Sequence, residues 1–372
     1  MTLSYFKQIL SEDTFSVITE LIEKKVVSEN QFVQIIINTF GANEKHGHIQ
    51  NRIYVLKTLI ILNFISDLND KYPNDKYLNN SIKRLMSNNG FETANELYTH
   101  IALFKSFSNY SVTYPLYVDA PDGYINDTEG NIPVEIKSRF PEVFKLIKSF
   151  QDKISSVIKI VSKKDIFIEL HIIKLKKLDL KIVNSEVNHF IQLSNSNDFT
   201  KIPNLPYVYS FKRSTENITY AISLFSKPSE KGVTGITSRQ DKNAIYIHNI
   251  FKMDKDRFPS SKNSSVHVSN EVKAFLGKKV VDSCIKGIKN LPKEPRVIAI
   301  YSDHFMDSIL QKFFKKVIDN YVKRKQGSCV VLISGYFNER DEGSLSINSI
   351  SAGKGILSVI ERNFSRPEFI NN

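Results

Sequence analysis

The first hundred residues alternate apolar and polar positions at helical spacing. Ser28 stands three residues before Gln31, and Phe32, Ile35, Ile36 and Phe40 follow in register and stop at Gly41. That pattern predicts a short helix with a capping box at its start and a glycine at its end. Ile49, Ile53, Leu56, Ile60 and Phe64 predict a longer helix. Leu78, Ile82 and Leu85 predict another, stopping near Asn88, Asn89 and Gly90. In ETANELYTHIALF, Ala94, Leu97, Ile101 and Phe104 share a buried stripe, which leaves Glu96 about 120° from its centre, where a solvated side chain is at least as good a reading as a site residue.

After residue 110 the period shortens. SVTYPLYVDAPDGYIN and NIPVEIKSR are β-rich and separated by Asp127, Thr128, Glu129 and Gly130, which predicts a hairpin. Pro141 opens a helix with Val143, Ile147, Phe150, Ile154 and Ile158 on one face, and Ile166, Ile168, Leu170 and Ile172 alternate as a strand. Residues 206–251 are β-rich again. RVIAIY, a helix carrying Met306, Leu310, Phe313, Val317 and Tyr321, and CVVLISGYF form a strand-helix-strand unit. The expected organisation is a helical region over 1–90 and an α/β domain over 91–372, with a β-rich basic insertion at about 185–265.

Composition adds the class of partner. The chain has 372 residues, 41% hydrophobic and 24% charged, which is a globular balance. No apolar run approaches the length of a membrane span, and the N-terminus lacks the pattern of a secretory signal. A soluble, cytoplasmic chain without membrane partners is expected. Cys284 and Cys329 stand alone, outside any CxxC or Cys/His cluster, which points to a reducing compartment and no structural zinc. Fifty-one Lys and Arg against 39 Asp and Glu give a net charge of +12. Such an excess attracts polyanions, nucleic acid first, although charge spread evenly over a solvated surface would give the same total.

The hairpin concentrates candidate chemistry. Pairing Asn126 with Asn131 sets Ile125 against Ile132, Tyr124 against Pro133, Gly123 against Val134, and Asp122 against Glu135. Opposed carboxylates repel unless a cation lies between them. Alternation places Lys137 on the face of Glu135, with Val134 and Ile136 directed to a core. Two carboxylates and an ammonium suit metal-assisted phosphodiester hydrolysis.

The sequence Pro121-Asp122, twelve residues, then Glu135-Ile136-Lys137 resembles the PD-(D/E)xK nuclease superfamily over about residues 92–173. The resemblance implies a restriction-endonuclease-like α+β fold, a mixed sheet flanked by helices. It implies Mg²⁺, with Mn²⁺ as a substitute, held by Asp122, Glu135 and the carbonyl of Ile136, with Lys137 as the catalytic lysine. The superfamily often adds an acid from the preceding helix, for which Glu96 is the candidate; Gln151 is a similar candidate on the next helix. The expected activity is a DNA endonuclease of restriction or host-defence type, and cutting both strands would favour a homodimer. Two rivals stay open: a nucleic-acid-binding module with this hairpin but no catalysis, and a nuclease acting on RNA.

Other candidates are plainer. Lys227, Lys231, Arg239 and Lys242, in a polar segment over 226–262, could grip phosphates or could be solvated loop charges. Glu169 and His171 share a strand face that half-exposed sheet would explain equally. His46 and His48 lack a third ligand nearby, and the Gly-Lys of SAGKGIL lacks the surroundings of a P-loop.

Overall fold

The computed structural model describes residues 1–42, 48–71, 76–113, 121–137, 142–162, 166–196, 208–226, 235–241, 244–250, 264–287, 295–302, 308–337, 343–365 and 370–371. The chain is a mixed α+β protein of two compact units, residues 1–139 with 280–372 and residues 140–279. The division falls at 139/140 and 279/280, not at 90/91 or around 185–265. The second unit is therefore a longer insertion than the β-rich segment expected from sequence.

The first unit begins with six helices: α1 (Leu3–Ile9), α2 (Glu12–Glu23), α3 (Glu29–Phe40), α4 (His48–Lys71), α5 (Lys76–Leu85) and α6 (Gly90–Ser106). The predicted capping box of α3 is present, with Gln31 N–H donating to Ser28 Oγ and Ser28 N–H to Gln31 Oε1, and Gly41 ends the helix at φ 69°. Gly90 sits where a Cβ would lie 2.3 Å from the carbonyl oxygen of Leu85, so the close approach of α6 to the end of α5 requires glycine. On α4 burial is shifted from the expected stripe, and on α6 the expected stripe is buried but burial extends beyond it. On α4 the most buried apolar positions include Val55, Leu59, Ile61, Leu62 and Ile65, while Ile60 and Phe64 are only partly buried. On α6, Thr93, Asn95, Thr99 and His100 are buried along with Ala94, Leu97 and Ile101. Each helix packs against helices and sheet together, so a one-sided stripe does not describe it.

Strands β1 (Tyr110–Val112), β2 (Gly123–Asp127) and β3 (Gly130–Lys137) follow α6. The chain then enters the second unit through α7 (Glu142–Ser162), β4 (Ile166–Leu175), α8 (Leu180–Ser196), β5 (Val208–Ser214), β6 (Ile218–Ser226), β7 (Gly235–Asp241), β8 (Ala244–Ile250) and β9 (Ser264–Val268). It leaves along α9 (Asn270–Gly287) and ends with β10 (Arg296–Tyr301), α10 (Ser308–Arg324), β11 (Ser328–Phe337), β12 (Gly343–Ala352), α11 (Leu357–Asn363) and β13 (Ile370–Asn371).

The first unit's sheet runs β1-β2-β3-β10-β11-β12-β13. Its centre is parallel, β3 with β10 and β10 with β11, and its β1-β2-β3 side is antiparallel. Val134, Ile136, Val297, Ala299, Val331 and Ile350 join the N-terminal helices in one core, so those helices and the sheet are one body. On the opposite face, Ile298, Ile300, Val330 and Leu332 pack under Phe314, Ile318 and Val322 of α10. The stripe expected on α10 is the adjacent one; Val317 and Tyr321 are partly buried, and Met306 lies outside the described residues. Both stripes are apolar, and the sheet covers the one at 314, 318 and 322.

The second unit has its own sheet, ordered β7-β8-β5-β6-β4-β9, and its own core from Phe150 and Ile154 of α7, Ile168 and Leu170 of β4, Phe190 of α8, and Phe211 and Tyr220. Helix α8 is an addition to the elements expected from sequence. Its Asp179 Oδ1 accepts from the Ile182 N–H, and Val183, Val187 and Phe190 are buried at helical spacing. Buried Glu186 of α8 accepts from Tyr220 Oη and Arg213 Nε, and Arg213 also bonds His189, so the carboxylate is satisfied inside the fold. Strand β4, although within the residues of the resemblance, pairs with β6 and β9, while β10 of the C-terminal strand-helix-strand unit pairs with β3.

Candidate functional site

The hairpin has the pairing counted from sequence, Gly123 with Val134 through Asn126 with Asn131. One step further it changes. Asp122 is not laddered with Glu135; its carbonyl accepts from Thr113 N–H, and its side-chain Oδ2 accepts from the Ile136 N–H at 2.6 Å. A carboxylate thus stands where the next main-chain acceptor of β2 would have been. Gly123 permits this bend, because a Cβ there would lie 2.6 Å from both the Ser111 carbonyl oxygen and the Tyr110 hydroxyl.

Glu135 is buried and Lys137 half-buried, and Lys137 Nζ donates to Glu135 Oε2 at 3.2 Å. Their partners in register on β10 are Ile298 and Ile300, so both share the sheet face that α10 covers farther along. Val134 and Ile136 point into the other core, as alternation requires. Burial pushes the Asp122 carboxyl up to about 6; the Ile136 N–H opposes this, the Glu135 and Glu96 charges add to it, and the Lys137 ammonium lowers it.

Glu96 therefore belongs to the same electrostatic neighbourhood and is not the solvated residue its helical position suggests. Its side chain is 17% exposed and accepts from Arg84 Nη2 at 2.9 Å. One turn along α6, His100 is buried, hydrogen bonded through Nδ1 to the Tyr110 hydroxyl, and held down to about 4 by burial. Sequence reasoning misses Arg84, His100 and Tyr110. The spacing of Glu96 and His100 at i and i+4 is legible, whereas the meeting of α5 with α6 and of β1 with Gly123 is tertiary.

Gln151 lies buried on α7, in the second unit. Lys227, Lys231 and Lys242 lie outside the described residues, as does His46; Arg239 is on β7, in register with Tyr246. His48 opens α4 against the Tyr5 ring. The glycines of SAGKGIL serve packing, since a Cβ at Gly353 would lie 2.3 Å from the Gln326 carbonyl oxygen.

Among the described residues no group of three or more His, Cys, Asp and Glu side chains is placed to hold a metal ion, and no helix is long and apolar enough to cross a membrane. The donor chemistry still suits a hard cation. Asp122 and Glu135 repel each other, both are oxygen ligands, and Mg²⁺ characteristically takes one or two carboxylates and completes its shell with water and phosphate oxygens. Comparison of the chain with protein-family models, with curated proteins and with solved structures finds no match.

Proposed function

We propose that this chain is a metal-dependent endonuclease of the PD-(D/E)xK kind, with a restriction-endonuclease-like core, acting on DNA. The observation that carries the reading is the convergence of Asp122, Glu135 and Lys137 at the open end of one hairpin, with Asp122 seated on the Ile136 N–H. Asp122, Glu135 and the Ile136 carbonyl would hold Mg²⁺, which when bound supplies charge neutralisation at the phosphate and an activated water. Lys137 brings a proton donor to the same end of the strand, where it can orient the attacking water or meet the charge that develops on the phosphate. The basic excess of the chain favours a polyanionic substrate.

One observation favours the non-catalytic alternative: Lys137 and Glu135 pair with each other and Asp122 has its N–H donor, so the cluster is largely satisfied as it stands. Single-turnover cleavage separates the two. Purified chain should cut DNA only with Mg²⁺ or Mn²⁺. Lys137→Ala should slow the chemical step by about 100-fold or more while leaving DNA affinity nearly unchanged. RNA substrates in the same assay identify the polymer. Wild-type rates from Lys137→Ala would remove the catalytic reading.

A further inference from the structure

The chain leaves β1 through Thr113, whose N–H donates to the Asp122 carbonyl at 3.2 Å, one step beyond the last laddered pair, Val112 with Gly123. Tyr110 is buried in the first unit's core and Val112 packs against that core, so alternation turns Ser111 and Thr113 to the other face of the sheet, the face of Glu135 and Lys137. On that face the Ser111 hydroxyl is satisfied, accepting from Asn126 Nδ2 at 3.0 Å. Thr113 differs. Its Oγ1 is enclosed, yet it makes no hydrogen bond among the described residues. A buried hydroxyl left without a partner is costly, and in native proteins such a group commonly marks the place of a water or an ion.

Thr113 is bonded to Asp122, and Asp122 to the N–H of Ile136, the residue after Glu135. Two carboxylates that repel each other thus stand beside a hydroxyl oxygen that lacks a partner. A hard divalent cation, which takes neutral and charged oxygens alike, relieves both. Resting on the metal-dependent reading above, we propose that Thr113 Oγ1 is a ligand of the Mg²⁺ or Mn²⁺ ion that Asp122 and Glu135 hold. This adds to the site a neutral oxygen from the chain that leaves β1, outside the hairpin.

The test is titration of the full chain with Mn²⁺ in the absence of DNA, the free ion being followed by its paramagnetic resonance signal, for wild type, Thr113→Val, Thr113→Ser and Asp122→Asn. Asp122→Asn should lose the site, Thr113→Val should bind about 10-fold more weakly, and Thr113→Ser, which keeps the hydroxyl, should bind like wild type. Valine has nearly the shape of threonine without its oxygen, so in EDTA Thr113→Val should melt no lower than wild type. Wild-type Mn²⁺ affinity in Thr113→Val overturns the proposal. Equal losses in Thr113→Val and Thr113→Ser do so too, as does a lower melting temperature of Thr113→Val in EDTA, or a wild type that binds no Mn²⁺. The nuclease reading fails separately: a wild type that binds Mn²⁺ through Asp122 and Thr113 but never cleaves DNA rejects catalysis and keeps the metal ligand. Conversely, Mn²⁺-dependent cleavage by wild type alongside unchanged binding in Thr113→Val keeps the nuclease and rejects Thr113.

Discussion

Asp122 carries a folded pKa of about 6 against 3.8 for the free group, with burial as the first cause. An acid whose pKa rises on folding binds its proton more tightly in the native state. Its contribution is therefore fully present below pH 3.8 and is lost as pH rises through about 6. The penalty at neutral pH is on the order of 2–3 kcal/mol. Asp122→Asn removes the charge and keeps an acceptor for the Ile136 N–H. In EDTA this variant should melt higher than wild type at pH 7 to 8, and the difference should close near pH 4. Added Mg²⁺ should raise the wild-type melting temperature at neutral pH and leave the variant's unchanged. A wild type more stable than Asp122→Asn at pH 8 without metal would show that the ionised carboxylate is well accommodated and needs no cation.

At the scale of elements, the hairpin is legible because two alternating strands flank a turn, and alternation together with turn position fixes register. The step at Asp122 is not, because it depends on Tyr110 and Ser111 of β1 closing against Gly123. Helix α3 is equally readable, since its cap and terminator are local. Glu96 is misplaced by pattern for the opposite reason: α6 is covered on several sides, so angular distance from the apolar stripe no longer measures exposure. Two glycine variants separate local strain from displacement of the site. Gly123→Ala should destabilise by about 1–3 kcal/mol in urea unfolding, because its Cβ meets backbone and a packed ring. Gly130→Ala is also unfavourable, at φ 136°, but its Cβ meets open space. At equal folded fraction Gly130→Ala should cleave like wild type and Gly123→Ala should not. Equal activity of the two would detach the Asp122 bend from function.

At the scale of the molecule, strands β3 and β10 pair directly although the second unit lies between them in sequence. Pattern alone identifies α7 and β4 as a helix and a strand. It does not assign them to a different sheet, because which strands pair is decided by long-range closure. Each unit has a separate apolar cluster, and chains of this kind commonly unfold in more than one step. Phe150 lies wholly inside the second cluster, stacked edge-on against Tyr220, and Ile36 lies wholly inside the first. Phe150→Ala should cost about 3–5 kcal/mol and Ile36→Val about 0.5–1.5 kcal/mol, each confined to its own unit. Calorimetry should then resolve two transitions, one lowered by Phe150→Ala and the other by Ile36→Val. With the first unit's transition intact, Phe150→Ala protein held between the two melting temperatures should retain the Asp122, Glu135 and Lys137 cluster, because every residue of that cluster lies outside the insertion. A single transition lowered by both variants would mean that the second unit is required for the sheet that carries the site.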